Sequence, residues 1–257
     1  MNWKILFNPY GLIERLAASA VRKKRLYRLK NTAGHRLQIG HIDSLELIEL
    51  IKGDSSLRAD MIIFDIGSNI GTWTLLAKAV LPYAVIHACE PLKIHTDKFR
   101  LSCQALADVH LHEYCAGNQN AFGNINISSY SDASSLLAST PLEFKDFHIT
   151  KEREEKVEIK KISDLIRQGE LPVPDIIKLD VQGFELEVLK GIGHYLNSVR
   201  YVICEVSFKE YYYDQPQFLD IANYLALNNL KVFAFSKNTP VGGELSQIDV
   251  LFKQNKA

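Results

Sequence analysis

The run Phe64-Asp65-Ile66-Gly67-Ser68-Asn69-Ile70-Gly71-Thr72-Trp73 places an acid, a Ser-Asn pair and two glycines where an apolar stretch gives way to a helical pattern. Gly67 and Gly71 let a backbone turn tightly and approach a ligand that a Cβ would obstruct. The spacing is G-x-x-x-G, not the G-x-G-x-x-G that seats a pyrophosphate on a helix N-terminus. With Asp65 beside the turn, a ligand bearing positive charge fits better than a pyrophosphate. Twenty-five residues after Asp65 the next apolar run ends in Glu90-Pro91. An acid at the tip of a second strand can accept both ribose hydroxyls of an adenosine. Singly these features are weak; in this order, on a strand, helix and strand, they predict a nucleoside site that includes Ser68 and Asn69.

A second constellation begins at Ile176-Ile177-Lys178-Leu179-Asp180-Val181-Gln182-Gly183-Phe184-Glu185. Asp180 closes an apolar strand, where a buried unpaired carboxylate would be costly. Its expected place is therefore the open carboxyl edge of a sheet, where ligands bind in such folds. Glu205, in Tyr201-Val202-Ile203-Cys204-Glu205-Val206-Ser207, holds the equivalent place on the next strand. Two acids at neighbouring strand ends suit a general base or a hard divalent metal ion. Tyr211, Tyr212 and Tyr213 follow, and their rings suit either the C–H side of a sugar or half-buried packing. His87 and His95 show no partner in the sequence and are given no catalytic role.

The elements that must position these residues follow from periodicity. Met61–Ile66, Ala84–Cys89, Val109–Tyr114, Asp175–Val181 and Arg200–Val206 read as strands. Helical patterns at Gly71–Leu81, Lys93–Ala107, Phe184–Leu189 and around Phe218, Ile221, Ala222 and Leu225 separate them. That alternation predicts βαβ units and a parallel sheet. Lys231–Phe235 and Gln247–Phe252 close the chain as a hairpin. Between Gly117 and Ser163 the rhythm loosens, with Val157–Ile162 as a strand, and an inserted hairpin or a lid is expected. Residues 1–60 read as a helical and hairpin extension or substrate lid, and 61–257 as the main domain. In the extension a helix is expected over Ile13–Val21 and a hairpin turn at Asn31–Gly34. Asp43 with Glu46 is expected to form a capping box, with Gly53 as the stop.

The bulk composition bounds the partners. Thirty Lys and Arg balance thirty Asp and Glu, so nothing global steers the chain to nucleic acid. The basic cluster Arg22–Lys30 reads as a solvated face or lid in preference to a membrane contact. The four cysteines have no C-x-x-C or zinc-site spacing and are expected as reduced core thiols. No signal pattern and no membrane-length apolar run is visible, which makes the cytoplasm the expected location.

D-x-G-x-N-x-G, then E-P, then K-L-D-V-Q-G-F-E-L-E-V-L-K-G resembles the FkbM family of methyltransferases across roughly residues 60–207. The resemblance implies a Rossmann-like class I methyltransferase fold: α/β, a seven-stranded, mostly parallel sheet with an antiparallel last strand, and helices on both faces. It also implies S-adenosyl-L-methionine as cofactor, and O-methylation of a small-molecule or glycan hydroxyl. In similar enzymes Asp65, Gly67, Asn69 and Gly71 would surround the methionine part, Glu90 the ribose, and Ala116 to Asn118 the adenine. Gln182 stands where the family usually has Glu. A sugar hydroxyl needs its proton taken as it is methylated; Asp180 is the expected base, and Glu205 could orient it, share a metal with it or hold a second substrate hydroxyl. Two other readings compete: a non-catalytic cofactor-binding domain, which Gln182 favours, and a nicotinamide oxidoreductase, which the missing G-x-G-x-x-G disfavours. The acceptor, metal dependence and oligomeric state are left open by the sequence.

Overall fold

The computed structural model describes residues 9–36, 41–236, 239–241 and 244–255. Its chain order is α1 (Pro9–Arg28), α2 (Leu45–Lys52), β1 (Ile62–Ile66), α3 (Thr72–Val80), β2 (Val85–Cys89), α4 (Lys93–Cys103), β3 (Val109–His112), β4 (Cys115–Gly117) and β5 (Ala121–Ser128). There follow α5 (Pro141–Phe147), β6 (Lys151–Lys161), α6 (Ile162–Gln168), β7 (Ile176–Leu179), α7 (Glu185–Ile192) and β8 (Tyr201–Ser207). Finally come α8 (Phe218–Leu227), β9 (Leu230–Phe235), β10 (Thr239–Val241) and β11 (Glu244–Gln254).

Because the apolar runs alternate their side chains between two faces, the main sheet is buried on both. Phe64, Ile177, Leu179, Val202, Cys204 and Phe252 point to one face and pack with α6, α7 and α8. Their neighbours Ile63, Ile176, Tyr201, Ile203 and Leu251 point to the other and pack with α2 and α3. A sheet covered on both sides reads as continuous hydrophobic strands, as these do.

Strand order is β3-β2-β1-β7-β8-β11, with β9 and the short β10 both against β11. The first five strands are mutually parallel. β11 runs antiparallel to β8 and β9. This is the expected mostly parallel α/β sheet with an antiparallel final strand, to which β10 adds an eighth. The order reverses between β1 and β7, which opens a crevice beyond the carboxyl ends of the strands.

The loose region after Gly117 supplies β5 and β6, the antiparallel pair of the expected insertion, which join β4 in a second, three-stranded sheet of order β4-β6-β5. The charged run Lys151–Lys156 belongs to β6, a strand of eleven residues. Only its later part buries alternate side chains, Val157 and Ile159, so hydrophobic alternation revealed no more than that part.

The N-terminal segment differs in detail. α1 extends from Pro9 to Arg28, beyond Ile13–Val21. A 3-10 turn over Ala33–Arg36 occupies the place of the expected hairpin turn, whose following run, 37–40, lies outside the described residues. Asp43 caps nothing: Arg25 of α1 engages both Asp43 and Glu46, which removes the capping box. Leu45, Leu47, Ile48 and Ile51 of α2 enter the same core as β1 and α3. Among the described residues, no helix is long and apolar enough to cross a membrane.

Candidate active site

The first β-to-α junction is built by backbone constraint. Gly67 has φ 79°, and a Cβ there would lie 1.8 Å from the carbonyl oxygen of Asp180. Gly71, at φ 87°, would drive a Cβ into Cys103 Sγ at 2.7 Å and Phe99 at 2.9 Å. Both glycines are thus required by neighbouring protein atoms: Gly67 by the β7 loop, Gly71 by α4. Asn69 adopts φ 47°, a left-handed conformation its short amide tolerates. Its Oδ1 accepts the Ile70 N–H at 2.7 Å. The N–H groups of Gly67 and Ser68 donate to the Cys89 carbonyl at 3.0 and 3.1 Å, tying the turn to the end of β2.

Glu90, at that strand end, is buried yet faces the crevice. Its Oε2 accepts from the Asn69 N–H at 3.1 Å, and its Oε1 accepts from the Leu92 N–H at 2.9 Å. His95 Nδ1 lies 3.2 Å from Oε1, so His95 does have a partner, as His87 has in His112. A carboxylate accepts about four hydrogen bonds, which leaves Glu90 capacity for a ligand hydroxyl.

Across the crevice, Asp180, Glu205 and Asp249 form a row on the α2 side of the sheet, Asp180 just after β7, Glu205 within β8 and Asp249 within β11. Glu205 pairs directly with Asp249 in the β8–β11 register. Beneath them Lys178 is sealed from solvent, its Nζ 3.4 Å from Asp180 Oδ2, 3.7 Å from Asp65 Oδ1 and 3.3 Å from the Gly67 carbonyl. Burial opposes the charge of Lys178, but Asp180, Asp65 and Asp249 outweigh it and its pKa stands above the usual lysine value. For Asp180, burial likewise acts to raise the pKa, and Lys178, His41 and the Gln182 amide together hold it below the ordinary carboxylate range. Glu205 goes the other way: burial, then repulsion by Asp180, Asp249 and Glu185, puts it well above that range. Asp249 is also raised, chiefly by burial, although Ser44 donates to it. The surroundings thus favour the carboxylate form of Asp180 and the neutral form of Glu205.

Gln182 joins that pair. Its Nε2 donates to Asp180 Oδ1 at 2.8 Å and to Glu205 Oε2 at 3.1 Å, while its Oε1 accepts from the Tyr212 hydroxyl at 3.0 Å. The backbone supports this at φ 52°, a conformation uncommon for a residue with a side chain.

Three connected cavities result. The main one, about 330 Å³, is lined by Gly67, Asn69, Glu90, Asp180, Glu205 and Asp249 among others. A narrow extension of about 40 Å³ runs between Pro91, Cys115, Ala116, Leu136 and Phe184, sharing Gly67, Ser134 and Val181 with the main cavity. An outer chamber of about 220 Å³ shares Asp132, Phe147, Gln182, Glu205 and Gln247 with it and adds Tyr130, Tyr211, Tyr212 and Glu143. The structure thus gathers Gly67, Asn69, Glu90, Pro91, Ala116, Asp180 and Glu205 along one cleft. Asp65, Ser68 and Gly71 stand behind its wall. Asp65 has no exposure, and its Oδ2 accepts from Thr74 Oγ1 at 2.6 Å; a direct contact of its carboxylate with a ligand is not what this geometry provides. Tyr211 and Tyr212 reach the chamber, whereas Tyr213 is exposed outside it. Among the described residues no group of three or more His, Cys, Asp or Glu is arranged to hold a metal ion; Lys178 is paired with Asp65 and Asp180 beneath the acids.

Sequence reasoning passed over Asp249, Glu143, Asp132 and Gln247. Asp249 carried the same signal as Asp180, an acid within an apolar strand. Asp132 lies in a 3-10 turn, Glu143 on the short α5 and Gln247 on a mixed strand, where spacing says nothing.

The methyltransferase FkbM domain profile matches residues 65–232, more than half of the chain. The chain belongs to the FkbM methyltransferase family. It is 28% identical over 202 residues to the hexuronic acid methyltransferase AglP of Haloferax volcanii, covering 74% of this chain and 77% of that protein. It is also 28% identical to methyltransferase 1 of Beauveria bassiana over 149 residues, 52% of this chain and 59% of that one. Among solved structures, methyltransferase FkbM from Methylobacillus flagellatus superposes with a TM-score of 0.52 at 15% identity, over 91% of this chain and 60% of that one. The class I methyltransferase fold and the family profile agree, and a methyltransferase activity follows for this FkbM protein.

Proposed function

We propose that this FkbM methyltransferase uses S-adenosyl-L-methionine to methylate a hydroxyl oxygen on a sugar or related polyhydroxylated scaffold. The observation that carries this reading is the one cleft lined by Gly67, Glu90 and Asp180 together, adjoined by an aromatic-lined chamber that shares Gln182 and Glu205 with it. Glu90 would hold the ribose, Gly67 and Asn69 the amino-acid end, and the extension between Pro91, Ala116 and Phe184 the adenine. Asp65, Ser68 and Gly71 act behind them by fixing the turn. When bound, the cofactor supplies a sulfonium methyl that is already electrophilic.

The protein's task is then to place the acceptor oxygen in line and to take its proton. Asp180, ionised and lining the cavity, is the proposed base. A hydroxyl that has begun to bond a methyl carbon is a far stronger acid than a free alcohol. A carboxylate held at low pKa therefore suffices, provided it is within reach. Glu205, whose burial beside Asp180 favours its neutral form, limits the negative charge next to Asp180, and the Gln182 amide bridges the two.

Calorimetry with S-adenosylhomocysteine and with NAD tests the cofactor: binding of the former alone is expected, and binding of NAD alone would overturn the reading. For the base, Asp180→Asn should abolish turnover while cofactor affinity changes less than about threefold. Loss of cofactor binding would instead give Asp180 an anchoring role.

A further inference from the structure

The outer chamber carries an acid that the proposed chemistry does not use. Glu143, on α5, is 2% exposed, lines the chamber, and among the described residues its Oε2 is buried without a hydrogen-bond partner, the neighbouring Tyr212 hydroxyl being directed to Gln182 and Ala133. A buried carboxylate oxygen with no donor is costly, so its natural partner is a donor brought by the ligand. The rest of the lining is consistent with that. Its polar side chains are Asp132, Glu143, Glu205, Gln182, Gln247 and the tyrosine hydroxyls, and among the described residues it has no Arg, Lys or His. The adjoining main cavity adds Asp43, Glu90, Asp180 and Asp249 with His41 and His95, and among the described residues no Arg or Lys lines it. Lys178 is sealed below and bound to Asp65 and Asp180.

We propose that this chamber selects an amine-bearing sugar as acceptor, with Glu143 receiving its ammonium group, and that it rejects uronates. The inference rests on the methyltransferase reading of the cleft and names that site's substrate class. Tyr130, Phe147, Tyr211 and Tyr212 supply the faces for the ring's C–H side. An ammonium facing Glu143 gains a charge-assisted hydrogen bond. A carboxylate in the same place meets Glu143, and among the described residues the chamber's lining has no cation to answer it. The relative from Haloferax volcanii is described as acting on a hexuronic acid, so the two proteins would differ in the charge of the acceptor they take.

The test uses the full chain and three matched probes, a methyl glucosaminide, glucoside and glucuronide. Binding is measured by calorimetry on protein saturated with S-adenosylhomocysteine, and methyl transfer with labelled cofactor. The glucosaminide should bind about tenfold or more tighter than the glucoside, with the glucuronide weakest, since a hydrogen bond to a charged group supports a difference of that size. Glu143→Gln, nearly isosteric, should bring glucosaminide and glucoside within about threefold while leaving S-adenosylhomocysteine affinity unchanged. The wild-type ranking decides the matter even if that variant does not fold. Tightest binding of the glucuronide, or equal binding of all three, overturns the inference alone. Failure of S-adenosylhomocysteine to bind overturns the methyltransferase reading and this inference with it.

Discussion

Gln182 illustrates how one side chain can set the charge of a site. Its amide donates to Asp180 and Glu205 together, which a carboxylate cannot do, and a carboxylic acid has only one proton to give. Gln182→Glu should therefore lower the methyl-transfer rate most at alkaline pH and recover it toward acid, where the new group is protonated. A pH-rate profile checks this, and a profile unchanged from the wild type would contradict it. Glu185 gives a second residue-scale prediction. Burial lifts its pKa from 4.5 to about 7, although the Val181 and Gly183 N–H groups donate to it. The folded state holds this proton more tightly than the unfolded chain. Its stabilising contribution is full below pH 4.5 and is lost as pH rises through about 7. Between pH 5 and 8 the wild type should lose roughly 1–3 kcal/mol more stability than Glu185→Gln, by denaturant unfolding; parallel pH curves would contradict it. Asp180, Glu205 and Glu90 were legible in the sequence because each ends an apolar run, where burial makes a lone acid conspicuous. Asp65 was equally conspicuous, but nothing in its spacing disclosed that it is fully buried, with Thr74 on one oxygen and Lys178 3.7 Å from the other. Glu143 lies in a stretch without rhythm, and only the folded chamber reveals its unpartnered oxygen.

At the level of elements, the site depends on how closely the β1 and β7 loops meet. Gly67 touches the Asp180 carbonyl so nearly that Gly67→Ala must push the loops apart, at φ 79° as well. It should destabilise the fold by about 2–4 kcal/mol and abolish cofactor binding. Denaturant unfolding with parallel calorimetry would detect both, and a variant that kept wild-type stability and affinity would contradict the packing argument. The βα alternation and the closing hairpin were readable because strands buried on both faces are uniformly apolar. The three-stranded insertion was less so. β6 is mostly solvated in its first half, so its charges masked a strand. The expected cap at Asp43 failed for a tertiary reason, since Arg25 reaches the acid from another helix.

For the whole molecule, the sheet order, the antiparallel β11 and the covering helices place one continuous cleft along the carboxyl ends of the strands. The N-terminal segment takes part: α2 shares the core, and Ser44 just before it donates to Asp249 beside the acids. The account's central claim is that this cleft grips a nucleoside cofactor by its ribose at Glu90. Calorimetric titration of S-adenosylhomocysteine into the wild type and Glu90→Ala tests it most directly. The account predicts one site per chain in the wild type and at least a hundredfold weaker binding in the variant. Absence of binding to the wild type, or equal affinity in the two, would contradict it.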